Sequence, residues 1–549
     1  MKIEKILIGR ILLITISILI LIVPDLIINR DLNLFNFSLT IFYKVGLFFF
    51  LGLILLRLTK SYYWTYLIIG IPYLTSSCVE SINVIILNSY ITMDNIKGLY
   101  FTLGSEIGEF FGGFYLYFLL PLLIIITYIF ILIKFKSIPY SYEKQRYIIP
   151  SSIFALLISL FFSFFKMSAT PVYISGKNLS NYVFKQYYLK QHPFSLYYRT
   201  YEFLYSTHKI NKFKPEKEHF KFDVLNDQDS LKPKIVVLII GERTRYSNWS
   251  INGYNRETSP NLKKIDNIIS FNKNFSNANC TANSIPLIIT QATPQSPDIA
   301  FRQKTIVSLF KEVGYETIWI SSQANCFDFI ENKNEMDRLY EIYNNHNHTD
   351  LDIISTFNSV VKTKSSKNRL IVINMLGGHG GIPDKFNLFK PNSSQKEYPV
   401  TFENAPVFIN DYDNMILLQD YVLSEIIKSA DKQSLSSVLL FTADHGCNLF
   451  DNGNVLFGYG SSNPTEKETH VPLFIWGSNK FVKNSYKFKN LIDHKNLLTT
   501  NNNVFYTLAD LANIKYKLFI KNKSIADSSY YEPSSRFVFV NNGVMEFKK

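Results

Sequence analysis

The sequence predicts a bundle of five transmembrane α-helices joined to an α/β domain built on a largely parallel sheet. Three observations lead there: long apolar runs almost without charge crowd the first 166 residues, strand-like runs in the second half end on polar or charged groups, and helical patterns lie between those strands. Of 549 residues, 47% are hydrophobic and 15% aromatic, and most of the charge-poor runs precede residue 167.

Ile6 to Val23 is apolar apart from Arg10, and Phe37 to Leu56 carries only Lys44. Tyr62 to Val79, Phe110 to Ile133 and Tyr147 to Phe165 carry no charge. At about 1.5 Å per residue, runs of roughly 18 or more cross an apolar core of about 30 Å with the help of their flanks. Residues 1–166 therefore read as five spans. Lys2, Lys5, Arg10, Arg57, Lys60, Lys134, Lys136, Lys144 and Arg146 fall on one side of these spans, against mainly Arg30 and Lys97 on the other. The bias places the N-terminus in the cytoplasm and everything after residue 167 outside. The first run leads into Pro24-Asp25 rather than a small-residue cleavage site, so it reads as a retained anchor. Lys44 is expected to snorkel toward the outer surface. Glu106 and Glu109 stand on the outer side just before the fourth span, where two carboxylates suit a cationic lipid head group and equally suit a solvated helix end.

Residues 167–232 interleave Tyr187, Tyr188, Tyr197, Tyr198 and Tyr201 with Lys190 and Arg199, the composition of an interfacial helix and linker. Residues 233–549 then suffice for one α/β domain. Four strand-like runs end alike. Lys234 to Ile240 runs to Glu242, Tyr315 to Ile320 to Ser321, Ser322 and Gln323, Arg369 to Met375 to Gly377, Gly378 and His379, and Val438 to Phe441 to Asp444 and His445. Helical patterns over Thr305 to Val313 and Asn414 to Lys428 separate them, the latter with Ile416, Leu417, Val422, Leu423, Ile426 and Ile427 on one face. Alternating β and α elements give a parallel sheet covered on both faces, and ligand sites form at the carboxyl ends of its strands.

A Glu after a strand is ordinarily a solvated loop residue, and an Asp-His-Gly ordinarily a turn. Four such ends on one sheet edge gather a carboxylate pair and a histidine pair, a donor set for a divalent metal. Cys280-Thr281-Ala282-Asn283-Ser284-Ile285-Pro286 followed by Leu287-Ile288-Ile289 reads as a loop entering a helix. Alone, Thr281 is a cap. Beside a metal, a hydroxyl at a helix N-terminus becomes a nucleophile with a seat for phosphate or sulfate.

Gly241-Glu242-Arg243-Thr244-Arg245, Ser250 through Leu262 (SINGYNRETSPNL), Thr281 through Pro286, Asp413-Asn414 with Asp420 through Leu423, Asp444-His445-Gly446 and Thr469-His470-Val471-Pro472 together resemble the bacterial phosphoethanolamine transferases, in order and rough spacing. That family belongs to the sulfatase and alkaline phosphatase superfamily, and the resemblance extends to the five-span anchor. It implies a sulfatase-like α/β domain in the periplasm, anchored in the bacterial inner membrane. It also implies a zinc enzyme that moves phosphoethanolamine from phosphatidylethanolamine to an envelope glycolipid or glycan, lipid A or the lipopolysaccharide core, through a phosphothreonine. Glu242, Thr281, Asp444 and His445 would hold one Zn²⁺, with a second metal left open. Thr281 would be the nucleophile, His379 and His470 would contact the phosphoryl group or move protons, and Glu106 and Glu109 would face the lipid head group. A monomer is expected.

Departures from the family pattern are Cys447 where many relatives have Glu, Phe457-Gly458 where many have His-Gly, and the stretch Ser321-Ser322-Gln323-Ala324-Asn325 after a strand, where relatives often place a Lys. The four cysteines are Cys78, in a span, and Cys280, Cys326 and Cys447 outside it; a Cys280–Cys326 bridge is compatible with an oxidising periplasm. Lipid A-modifying members of the family tend to carry several disulfides in the outer domain, so by that resemblance the scarcity of cysteine here leans toward a core-sugar or other glycan acceptor. A phosphoglycerol transferase or sulfatase-like hydrolase shares the metal logic, but a sulfatase calls for Cys/Ser-x-Pro-x-Arg, which Cys280-Thr281-Ala282 lacks. A non-catalytic membrane receptor is the remaining alternative. The net charge of +13 suits anionic lipids and phosphorylated glycolipids and is no sign of nucleic acid.

Overall fold

The computed structural model describes the chain except residues 1, 29–33, 88–89, 102–118, 120, 135, 137–144, 169–188, 190, 226–232, 324–333, 343–347, 380–381, 390–400, 452–455, 462, 541–542 and 549. It divides into two compact units, Met1–Ile96 with Phe114–Leu204, and Lys97–Gly113 with Tyr205–Lys549.

In the first unit the described parts of the expected apolar runs are helical: α1 (Lys2–Ile28), α2 (Leu34–Thr59), α3 (Tyr62–Leu87), residues 121–134, and α4 (Gln145–Ser168). Among the described residues, Ile8–Ile28 and Tyr62–Leu87 are long and apolar enough to cross a membrane on their own, while Pro121–Lys134 and Ile149–Phe161 are shorter apolar stretches. The outer loop with Glu106 and Glu109 lies outside the described residues. Lys44 does not snorkel. It is 1% exposed, with Nζ 2.7 and 2.6 Å from the two carboxylate oxygens of buried Asp25, to which Tyr90 also donates. A charge kept out of water needs a counter-charge nearby, and α1 supplies one where a route to the surface is closed. Glu80 on α3 is likewise buried, accepting from the Ile91 N–H and the Ser195 hydroxyl. Ser195 opens α5 (Ser195–Asn211), whose Tyr197 and Tyr201 are exposed.

In the second unit a seven-stranded sheet is formed by β1 (Ile235–Gly241), β2 (Ile268–Ser270), β3 (Glu316–Ser321), β4 (Arg338–Glu341), β5 (Arg369–Asn374), β6 (Ser437–Ala443) and β7 (Leu473–Gly477), in the order β2-β7-β6-β1-β5-β3-β4. The four expected strands pair in parallel as β6-β1-β5-β3, and β7 runs antiparallel to β6. Their apolar runs are continuous because both faces are covered. Val236, Leu238 and Ile240 of β1 enter one core and Ile235, Val237 and Ile239 the other, the two-residue alternation of a strand.

The first core is closed by α6 (Thr281–Ile289), α7 (Ile306–Glu312) and the helix Asn502–Leu511. Phe222, from the stretch expected to be linker, is also buried in it. The second core is closed by α8 (Leu351–Lys362) and α9 (Ala405–Asp431), where all six residues of the expected apolar face are buried. Register sets the site: Ile240 of β1 lies level with Asn374 of β5 and Thr442 of β6, so the residues after all three strands emerge on one edge.

Candidate metal centre

Glu242 leaves β1 beside Asp444, which leaves β6, and the Asp444 N–H donates to the Gly241 carbonyl at 2.9 Å. Single ligand atoms of Glu242, Asp444 and His445 lie within 4.8 Å of one another, and all three residues are buried. Thr281 reaches this trio from α6. Its Oγ1 donates to Glu242 Oε2 at 3.0 Å and lies 3.2 Å from His445 Nε2.

The local sequence explains why that hydroxyl is available. Cys280 holds the N-cap of α6 in extended backbone, and its carbonyl accepts from the Asn283 and Ser284 N–H groups at 3.2 and 2.9 Å. Thr281 is therefore the first helical residue, and its side chain caps nothing. The expected loop-to-helix transition is present, with the cap displaced by one residue.

His445 Nδ1 lies 2.8 Å from the Gly446 carbonyl oxygen, which can only accept. The ring proton therefore sits on Nδ1, and Nε2 turns a lone pair toward Thr281, Glu242 and Asp444, the form in which imidazole binds a metal. Gly446 has no substitute here, because a Cβ would stand 2.2 Å from the Lys467 carbonyl oxygen.

The donor set fits a divalent cation. Asp444 Oδ2 is buried and accepts no hydrogen bond among the described residues, while Oδ1 takes the His445 N–H at 2.7 Å and the Arg243 N–H at 3.2 Å. Without a cation, burial first and the Glu242 charge second push the Asp444 carboxyl well above the usual carboxylate range. Two buried carboxylates facing one imidazole lone pair and one hydroxyl are oxygen and nitrogen donors of the kind zinc takes.

Some groups around the trio were not singled out as site residues in the sequence. Gln323, after β3, donates from Nε2 to Glu242 Oε2 at 2.9 Å and accepts from Asn374 Nδ2 at 3.0 Å. Tyr412 of α9 donates to the Arg243 carbonyl at 2.6 Å and accepts from the Arg245 N–H at 2.8 Å. Tyr459 packs its ring 4.2 Å from that of His445. Gln323 was recognisable as a strand-end polar residue; the two tyrosines follow no apolar run and carried no signal.

Other motif residues brace the loop after β1. Asp413 accepts from Asn248, Tyr254 and Arg256 at 2.7, 3.0 and 2.9 Å. Asp420 accepts the Asn261 and Leu262 N–H groups at 3.0 and 2.9 Å.

The expected histidines are not part of the trio. His379 lies in the short turn Gly377–His379 after β5, and its side chain is outside the described residues. His470 is sandwiched between Tyr246 and Phe275, with ring centroids at 4.3 and 4.6 Å. Its Nε2 donates to the Asn272 carbonyl at 3.0 Å, Nδ1 lies 3.6 Å from Glu466, and burial lowers its pKa. None of these contacts reaches Thr281. Cys280 is buried, and Cys326 lies outside the described residues.

Comparison with known proteins gives this arrangement a lineage. Phosphoethanolamine transferase EptC of Escherichia coli O18:K1:H7 is 26% identical over 328 residues, which cover 56% of this chain and 55% of that protein. Phosphatidylethanolamine transferase Mcr-1 of Escherichia coli is 26% identical over 267 residues, 45% of this chain and 49% of its own. The chain thus spans about half the length of the curated relatives it matches. Among solved structures, the integral membrane lipooligosaccharide phosphoethanolamine transferase A of Neisseria meningitidis matches 95% of this chain and 99% of its own, with a TM-score of 0.73 at 17% identity. The C-terminal periplasmic domain of Escherichia coli EptC, in complex with Zn, matches 59% of this chain and 96% of its own, with a TM-score of 0.52 at 23% identity. At those identities the structural likeness speaks to fold alone: an α/β domain on a largely parallel sheet, preceded by N-terminal helices. The sulfatase family model matches residues 234–514, a segment that holds all seven strands of the sheet, the carboxylate pair, His445 and Thr281. By that match over half its length, the chain belongs to the sulfatase family.

Proposed function

We propose that this chain is a membrane-anchored phosphoethanolamine transferase that takes its group from phosphatidylethanolamine and passes it to an envelope glycolipid or glycan, lipid A or the lipopolysaccharide core. The observation that carries this reading is the Thr281 hydroxyl, unused as a cap and held against Glu242 Oε2 and His445 Nε2 at the start of α6. The relatives, phosphoethanolamine and phosphatidylethanolamine transferases, support the same chemistry.

Glu242, Asp444, His445 and Thr281 would hold Zn²⁺, which when bound supplies positive charge to lower the hydroxyl pKa and to offset phosphoryl charge. Thr281 Oγ1 attacks the phosphorus of the lipid phosphodiester, the bond to the diacylglycerol oxygen breaks, and that oxygen leaves with a proton. The phosphoethanolamine ester on Thr281 is then attacked by an acceptor hydroxyl, which loses its proton as Oγ1 departs. N–H groups of the first turn of α6 face phosphoryl oxygens at the positive end of the helix. Glu242, fixed by Gln323, keeps the hydroxyl oriented for the first step. His379 and His470 are the groups assigned to the phosphoryl oxygens or the travelling proton; for His470 the atom left for this is Nδ1, since Nε2 is bound to Asn272.

The same reading gives the first unit five spans in the bacterial inner membrane, makes residues 167–232 an interfacial helix and linker, and puts the catalytic domain in the periplasm. Glu106 and Glu109 meet the donor's ammonium, and the enzyme works as a monomer. The test is mass spectrometry of lipid A and core oligosaccharide from cells expressing the chain or its Thr281→Ala variant. Phosphoethanolamine on the glycolipid with the former and not the latter is expected; equal modification by both would refute the reading.

A further inference from the structure

Arg243 stands between Glu242 and the turn after β5 in an unusual posture. Its backbone φ is +55°, a left-handed conformation that costs a residue with a side chain of order 1 kcal/mol or more. Two bonds from opposite directions hold it there: its N–H donates to Asp444 Oδ1 at 3.2 Å, and its carbonyl accepts from the Tyr412 hydroxyl at 2.6 Å. Strain held this firmly beside a metal centre aims the side chain.

The guanidinium lies 5.1 Å from the centre of the Tyr459 ring, and Tyr459 in turn packs on His445, whose Nε2 faces Thr281. On its other flank, a Cβ at Gly378 would come within 3.3 Å of Arg243 Cδ and 3.6 Å of Nε, so the bare glycine leaves the room that the arginine occupies. Nε is buried without a hydrogen-bond partner. Among the described residues, the guanidinium donates to no acceptor at all.

That sets Arg243 apart. The other six arginines of this unit, Arg245, Arg256, Arg302, Arg338, Arg369 and Arg536, each donate to a carboxylate, amide or hydroxyl oxygen. A planar cation with five N–H donors, set over an aromatic ring, feeling the Glu242 charge but hydrogen-bonded to no carboxylate among the described residues, is a seat for a bidentate oxyanion. We infer that Arg243 is a phosphate-contacting residue, its fork receiving the oxygens of a phosphate ester drawn to the metal centre. This inference rests on the transferase reading and extends it. The phosphate belongs either to the donor phosphodiester or to a phosphorylated acceptor.

The experiment uses the full chain with its metal, in detergent, and inorganic phosphate as the probe. Arg243→Gln is expected to weaken phosphate binding, read by calorimetry, about ten- to a hundredfold, the loss of one charge-assisted pair, with metal content and melting temperature unchanged. In parallel, phosphate should slow phenylglyoxal modification of Arg243 in the unmutated protein and leave Arg256 unaffected, a readout that needs no variant to fold. Diacylglycerol release without acceptor then separates the sources: a raised KM for phosphatidylethanolamine in Arg243→Gln assigns the donor, and unchanged release with a raised KM for phosphorylated acceptor assigns the acceptor. Unchanged phosphate affinity in folded Arg243→Gln, or no protection of Arg243, overturns the inference. If Thr281→Ala is inactive while Arg243→Gln binds phosphate normally, only the inference fails; if Thr281→Ala still transfers, the transferase reading fails.

Discussion

Removing the metal should destabilise the second unit by an amount that one neutral substitution erases. Glu242 and Asp444 are 2% and 1% exposed, with ligand atoms within 4.8 Å of each other. At an effective dielectric of about 20, two negative charges at that separation repel by roughly 3 kcal/mol, and holding a proton on Asp444 at neutral pH instead costs about as much, roughly 1.4 kcal/mol for each pH unit above the ordinary carboxylate pKa. A domain of this size loses on the order of 2 °C of melting temperature per kcal/mol, so chelation should cost roughly 5 °C at neutral pH. The sign with pH follows from Asp444, whose folded pKa is raised by burial and then by Glu242. The folded, metal-free chain keeps a proton that the unfolded chain has released, so its stability is full below the ordinary carboxylate range of about pH 4 and declines as pH rises through the raised value. Asp444→Asn removes the repulsion. Its melting temperature should hardly respond to chelator and should match or exceed that of the chelated unmutated protein. The assay is thermal unfolding of the full chain with and without EDTA across pH 4 to 8. Equal response of the two proteins to EDTA, or a chelator effect that grows toward acid pH, would refute the reasoning.

Two further substitutions probe the support of the trio. Gln323→Leu strips Glu242 Oε2 of its amide donor and Asn374 of its acceptor; zinc affinity measured by competition with a chromophoric chelator should fall about ten- to a hundredfold, and an unchanged affinity would show that Gln323 orients nothing. Tyr412→Phe leaves the buried Arg245 N–H unsatisfied and frees the Arg243 carbonyl, at a cost of about 1–3 kcal/mol; chemical denaturation should register it, and a change below about 0.5 kcal/mol would contradict the geometry.

The second half of the chain was legible because its strands are buried on both faces and so read as unbroken apolar runs, each punctuated by polar or charged residues at one sheet edge. Glu242, Asp444 and His445 stand together because parallel strands in register bring their carboxyl ends to one edge, and Thr281 was marked by the small polar turn ahead of an apolar helix. What was hidden depends on approach across the fold. Tyr412 and Tyr459 reach the site from a helix and a loop with no periodic signature. Lys44 looked like a snorkelling residue because its partner, Asp25, sits 19 positions away on another helix. His470 was placed in the site by motif, while its ring stacking and its bond to Asn272 arise from contacts that no local pattern encodes.

In the proposed transfer, Thr281 carries the phosphoethanolamine in transit. The most direct measurement is peptide mass spectrometry of the full chain, loaded with zinc, incubated with phosphatidylethanolamine vesicles without acceptor and quenched in acid. A phosphoethanolamine ester is expected on the peptide containing Thr281, formed together with diacylglycerol and absent in Thr281→Ala. Diacylglycerol release of equal extent from Thr281→Ala, or an adduct on another residue, would contradict it.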